Sequence, residues 1–232
     1  MILKTLVKRI RPGMLTKELD AITVRELKKY RVRSSFKGYR GFPAHLCVSV
    51  NDEIVHGIPG ERVLMVGDIV SLDIGVISQG FHGDAALTVG VGEITPPATK
   101  LLAMAESALR AGLSAAHHGA HLGDVSAAIQ LYAEAGGFSV VREYTGHGIG
   151  RQLHEEPQVP NFGYPGQGPL LQRGMTIALE PMINTGGWRT KLDQNRWTVR
   201  TIDGSLSAHF EHTIAITDSE PEVLTISEGW YV

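Results

Sequence analysis

Four acidic residues stand among strand-forming neighbours. Asp73 and Asp84 lie in SLDIGVISQGFHGDAALTVG (residues 71–90), Glu180 ends TIALE, and Glu211 sits within HFEHTIAIT. Apolar and β-branched residues fill positions 69–77 and 81–89, and Ser78-Gln79-Gly80 reads as the turn between them. With Ser78 and Gln79 as a two-residue loop, Ile77 faces Gly80 and Asp73 falls directly opposite Asp84. A slip by two places keeps both acids on one face, whereas a one-residue bulge would part them. Directly opposed side chains have Cβ atoms about 4.5–5.5 Å apart, where like charges repel. Such a pair persists if it points to water, shares a proton or holds a cation. Water is the ordinary answer for a lone pair of aspartates. Four acids in apolar strand contexts demand more, because unpaired buried carboxylates neutralise or destabilise a fold. A shared positive partner is the economical account. Two divalent ions about 3.5–4 Å apart, with water activated between them, would fill that role.

Nitrogen donors are the next requirement. In GHGIGRQLHEEP (146–157), Gly146, Gly148 and Gly150 flank His147 and let the backbone bend closely around something bound, and His154 follows. The glycine spacing is not that of a dinucleotide loop, and no HExxH zinc motif occurs in the chain. His56 stands beyond a strand, just before a Gly-Ile-Pro turn. Any one of these histidines, taken singly, is read as a hydrogen-bonded structural residue. His117, His118 and His121 cluster at a helix end, where polar and partly positive side chains suit exposed carbonyls, so they are not read as a metal site.

The elements that must position these residues follow from periodicity. Residues 16–30 read as a helix with Thr16 as N-cap and Leu19, Ile22 and Leu27 on one face. Residues 47–90 are mostly β. Two helices follow, over 97–118 and over 124–135, the second capped by Asp124 and stopped by Gly136-Gly137. Strand-like runs return at 138–144, 175–179, 197–202 and 209–217. Helix then β therefore occurs twice, each time ending in strands that bear acids. The class is α+β, with largely antiparallel strands and two similar halves around a shared site.

Composition sets limits. The 232 residues suit one large domain or two closely packed halves, and 43% hydrophobic with 20% charged residues is ordinary for a soluble globular chain. A formal charge of −2 gives no electrostatic reason for nucleic acid or membrane as main ligand. One cysteine, Cys47, excludes an intrachain disulfide framework and fits a reducing compartment, hence a cytoplasmic expectation. The start, MILKTLVKRIRPG, shows helical periodicity broken by basic residues rather than a secretion signal.

Six motifs in order, GDIVSLD (67–73), GFHGD (80–84), TGHGIG (145–150), HEEP (154–157), GMTIALEP (174–181) and SAHFEHT (207–213), together resemble type I methionine aminopeptidase. The resemblance runs from about Arg11 to the C-terminus. It implies the pita-bread fold, two pseudo-symmetric halves with a mainly antiparallel sheet covered by helices around a dinuclear metal site. It further implies that Asp73 binds one ion, His147 and Glu180 the other, and that Asp84 and Glu211 bridge them. One imidazole among four carboxylates suits Mn, Fe or Co without excluding Zn. Glu180 is also implied as proton acceptor, and His56 and His154 as groups contacting the scissile peptide. Tyr39, Phe42, Cys47 and Trp197 match positions near the methionine side-chain pocket. The implied reaction removes N-terminal methionine ahead of a small second residue. Its substrates would be nascent chains near the ribosome, and the enzyme a monomer.

The chain departs from that pattern in places. A longer N-terminal helix with an Arg-Ala-Gly pattern is missing before the segment aligned with residues 3–13. The expectation is one catalytic domain over 1–232 with a shortened first helix and lowered stability. His209 stands where the family commonly has Gln. By strand alternation it shares a face with Glu211, where it can bond a ligand carboxylate, titrate near neutral pH, or simply replace the Gln hydrogen bond. Leu153 replaces a bulkier apolar residue and can reshape the pocket. Two other readings remain: an Xaa-Pro aminopeptidase or prolidase, which shares fold and ligands, and an inactive pita-bread binding protein, which would have lost ligands.

Overall fold

In the computed structural model, which describes residues 1–226, helices α1 (Ile2–Arg9) and α2 (Thr16–Tyr30) come first. Strands β1 (Arg33–Ser34), β2 (Cys47–Val50), β3 (Glu53–Val55), β4 (Ile69–Ser78) and β5 (Phe81–Gly90) follow. Then come α3 (Pro96–Ala115) and α4 (Leu122–Ala135), and strands β6 (Ser139–Val140), β7 (Gly146–Gly148), β8 (Glu155–Val159), β9 (Thr176–Leu179) and β10 (Met182–Asn184). The last strands are β11 (Thr190–Leu192), β12 (Val199–Thr201), β13 (Ser207–His209), β14 (Glu211–Ala215) and β15 (Glu222–Val223).

One antiparallel sheet dominates, in the order β1-β4-β5-β14-β9-β7-β8, with β2 paired to β4 and β15 to β14. Two small sheets, β13-β10-β6 and β11-β12-β3, flank it. Each half of the large sheet has its own core. Leu6 of α1 and Leu19 of α2 pack with Val48 and Leu72, whereas Leu101 of α3 and Ile129 of α4 pack with Ile177 and Ile214. Each fully buried leucine of this kind stabilises the fold by roughly 2 kcal/mol. This is the expected α+β arrangement of helices over a mainly antiparallel sheet.

Helix starts differ from expectation in an informative way. Thr16 is the first helical residue of α2 and not its cap, because Glu18 reaches back to accept from the Leu15 N–H at 2.7 Å. The Thr16 hydroxyl instead exchanges bonds with the backbone of Gly60. Asp124 likewise lies inside α4 and accepts from the His121 N–H at 2.7 Å. The α3 helix begins at Pro96, where the Thr95 side chain accepts from Ala98 N–H, and ends at Ala115 rather than 118. The run expected over 209–217 is two strands, since the chain leaves the small sheet at His209 and enters the large one at Glu211.

The hairpin register is shifted by two places. Ser78 pairs with Phe81, so Gln79 and Gly80 form the loop, with φ of +50° and +84°. Two left-handed positions match the twist of the flanking strands, which is why a glycine serves at the second. Asp73 therefore faces Ala86 and Asp84 faces Gly75. The acids keep a common face but sit diagonally, and the direct opposition of charge is relieved.

Candidate metal centre

Register alone brings five donors together. Across the sheet, Gly75 pairs with Asp84, Thr213 lies next to Asp84 through a 2.8 Å bond from the Asp84 N–H, and Thr213 pairs with Ala178, which pairs with His147. The adjacent rank runs from Asp73 through Ala86 to Glu211. Continuing the β9–β14 register one place past His212 and Leu179 brings Glu180 beside Glu211. Paired residues share a face, so all five donors project to the same side. The positions between them are glycine, alanine and threonine, which leave room above the sheet. A Cβ on Gly75 would lie 2.6 Å from the Phe36 ring, so the position facing Asp84 has no space for a side chain.

Ligand atoms of Asp84, His147 and Glu211 all lie within 4.8 Å of one another, and all three residues are buried. His147 Nε2 is 3.5 Å from Glu180 Oε1. Burial pushes the Asp73 carboxyl well up, with Asp84 and Glu180 adding repulsion. Glu180 rises through burial and then Asp84, and Glu211 through burial and then its three acidic neighbours. Asp84 is pushed up to about 7, chiefly by burial. Burial moves His147 the other way, so the protein by itself makes no true ion pair between His147 and Glu180.

Among the described residues no Lys or Arg forms an ion pair with any of the four acids, and Asp73 Oδ1 is buried without a hydrogen-bond partner. Four carboxylates and one imidazole that lack a protein cation are a hard donor set suited to a divalent ion. The residues present therefore fit the metal centre implied by the sequence.

These donors form the floor of a cavity of about 160 Å³, which the other expected site residues also line: Tyr39, Phe42, Cys47, His56, His154 and Trp197. Cys47 pairs with Asp73 across β2 and β4, which sets its thiol beside that carboxyl. Burial, then Asp73, pushes the thiol well up, so it stays protonated. Phe42 meets Trp197 edge-on at 5.1 Å between centroids, and both pack in one cluster with Tyr39, Cys47 and Leu153. His154 Nδ1 is 2.7 Å from the Tyr39 hydroxyl, and its ring lies 4.2 Å from that of His147. His56 follows β3 in a left-handed conformation, φ +59°, with Trp197 and Tyr144 against its ring. Loss of solvation holds His56 and His154 down to about 4, with His147 adding to the second.

Phe36 and Arg40 also line the cavity and were not expected there. Arg40 lies over the Tyr39 ring at 5.4 Å, in a left-handed conformation, φ +48°, inside a short turn. Gly38 and Gly41 mark a turn in KGYRG but do not show that Arg40 itself turns left-handed into the cavity, whereas Phe36 beside an acidic hairpin could have been sought. His209 approaches a site acid as expected, but that acid is Glu180, 3.6 Å from its Nε2. Burial holds His209 down to about 3, so it does not titrate near neutrality. His117, His118 and His121 bond backbone groups around the junction of α3 and α4, away from the cavity. No helix among the described residues is long and apolar enough to cross a membrane.

The sequence profile of metallopeptidase family M24 matches residues 1–218. Methionine aminopeptidase 1 of Bacillus subtilis is 53% identical over 220 residues, 95% of this chain and 89% of that protein. Methionine aminopeptidase of Clostridium perfringens is 51% identical over 224 residues, 97% and 90% of the two chains. The crystal structure of methionine aminopeptidase from Thermotoga maritima superposes with a TM-score of 0.96 at 45% identity, covering 97% of this chain and 91% of that one. An Xaa-Pro dipeptidase from Bacillus anthracis reaches a TM-score of 0.78 at 24% identity, over 97% of this chain and 57% of the other, a likeness of fold alone. With its pita-bread architecture and its buried cluster of acids and imidazole, the chain belongs to metallopeptidase family M24, within the methionine aminopeptidases.

Proposed function

We propose that this chain hydrolyses the first peptide bond of polypeptides that begin with methionine and carry a small second residue. The observation that carries the reading is one cavity whose floor is the acid and imidazole cluster and whose wall is aromatic, apolar and thiol-bearing. Asp73, Asp84, His147, Glu180 and Glu211 would hold two divalent ions, Co, Mn, Fe or Zn. Bound there, such ions would supply a Lewis acid for the scissile carbonyl and would lower the pKa of water so that it can give up a proton and attack at neutral pH.

The chain's own groups do the rest. The Glu180 carboxylate takes the proton released as water adds, and delivers it toward the departing amine. Tyr39 engages His154 Nδ1, which fixes the ring and leaves Nε2 for the peptide. His56 and His154, both neutral near pH 7, donate hydrogen bonds to the peptide as charge develops on it. Phe42, Cys47, Tyr39 and Trp197 receive the thioether, for which an apolar wall with a polarizable thiol is well matched. The 232 residues act as one catalytic unit, a monomer of the cytoplasm meeting nascent chains near the ribosome.

The test strips the protein of metal and restores Mn, Co, Fe or Zn separately, then offers Met-Ala-Ser, Met-Leu-Ser and Ala-Pro-Ser. Metal-dependent cleavage of Met-Ala-Ser alone is expected. Cleavage of Ala-Pro-Ser instead would move the chain to the proline-specific branch. Two bound ions without turnover of any peptide would favour a binding protein.

A further inference from the structure

His209 is a buried imidazole for which the fold itself gives no employment. Its backbone is pinned on both sides by Thr88, whose Oγ1 accepts from the His209 N–H at 2.8 Å and bonds the His209 carbonyl at 2.9 Å. The backbone is thus fixed at this point, and the ring is 1% exposed. Both ring nitrogens are shut off from water and lack a hydrogen-bond partner among the described residues. Burying a polar group in that state costs about 1–3 kcal/mol, a cost an apolar residue of similar size would avoid.

One acceptor lies within reach. Glu180 Oε2 is 3.6 Å from His209 Nε2, a few tenths of an ångström beyond bonding distance. The other oxygen of the same carboxylate, Oε1, is the one that faces His147, at 3.5 Å. The two oxygens of Glu180 are thus addressed from opposite sides, one by a proposed ligand and one by a ring that needs an acceptor.

We propose that His209 is a positioning residue: its Nε2–H bonds Glu180 Oε2 and turns Oε1 toward the ion shared with His147. This rests on Glu180 serving as a metal ligand, as proposed above. A neutral donor at this place orients the carboxylate without cancelling the negative charge that attracts the ion. It also fixes the tautomer, with the proton on Nε2 and the lone pair on Nδ1.

The test compares H209L and H209Q with the unaltered protein. Mn²⁺ affinity is measured by calorimetry, and the melting temperature is taken on the metal-free forms. H209L is expected to bind Mn²⁺ about tenfold to a hundredfold more weakly while melting no lower than the parent. H209Q, which keeps an N–H donor, should bind closer to the parent than to H209L. A purely space-filling ring predicts the opposite for leucine, with affinity retained. H209L binding Mn²⁺ as tightly as the parent would overturn the proposal, and so would H209Q binding as weakly as H209L. If H209L fails to fold, nitrogen-15 NMR of the parent loaded with Zn²⁺ decides: a proton on Nε2 supports the role and a proton on Nδ1 ends it. A parent that binds no Mn²⁺ would remove the metal-site reading and His209's role with it, an outcome distinct from a parent that binds beside an unaffected H209L.

Discussion

Asp52, Glu53 and Asp193 gather around the Arg200 guanidinium at 2.7–2.9 Å, whereas Asp73, Asp84, Glu180 and Glu211 gather around no protein cation among the described residues. Arg200 stands on β12 directly across from Glu53 on β3, so the opposite charges meet as a cross-strand pair. The Arg200 bond holds Asp193 below the usual carboxylate range, while burial still raises Glu53, with Arg200 and Arg62 opposing the rise. At the cavity floor the same type of group is driven upward, because burial and like charges act there without a counterweight. Acids that bring their own cation hold strands together, while acids that leave the cation out would, in the proposed reading, form a receptacle for one. The same sheet-based construction yields both, and what differs is whether an arginine was built in.

The contrast predicts opposite signs on mutation. The largest effect is expected for D84N, which should lower Met-Ala-Ser hydrolysis by the Mn-loaded protein at least about a hundredfold. In the metal-free protein the same change should raise the melting temperature, and more at pH 8 than at pH 4.5. Asp84 has a folded value of about 7 against an ordinary 3.8. Its raised value means the folded state keeps a proton that the unfolded chain has released. That contribution is complete below the ordinary value and is lost as pH rises through about 7. Equal gains at both pH values would break the contrast. Next comes R200M, expected to destabilise by about 2 kcal/mol in urea unfolding, since it strands Asp52 and Asp193, partly screened by water, and leaves Glu53 with only the more distant Arg62. An R200M protein as stable as the parent would show that the arginine cluster is no more structural than the cavity floor. The smallest effect belongs to D52N, below about 1 kcal/mol, because Arg200 keeps two other partners and the site is about a quarter exposed.

Much of the cavity floor was legible because its signal is local: an acid within a strand pattern names both the residue and the face on which it lies. The shared face of Asp73 and Asp84 followed from alternation alone. Their register did not, since it turned on whether the two-residue loop began at Ser78 or Gln79, a choice settled by the left-handed geometry that Gly80 accepts. The helix caps were displaced for a similar reason, as Glu18 and Asp124 satisfy backbone N–H groups from inside the helix. The Arg200 cluster was not legible in the sequence, because Asp52 and Glu53 lie far from β12 along the chain and alternation says nothing about which distant charges will meet. Arg40 was hidden by a turn whose conformation its neighbours do not announce.

Phe210 occupies the single step between His209 and Glu211, where the backbone passes from the small sheet into the large one, and its ring packs against both cores. Sliding Glu211 relative to Asp84 would mean breaking that ring's contacts with two cores at once. The spacing of the donors is thereby clamped mechanically, before any ion arrives. A pliable cup reshapes itself to whatever enters, whereas a stiff one discriminates by size.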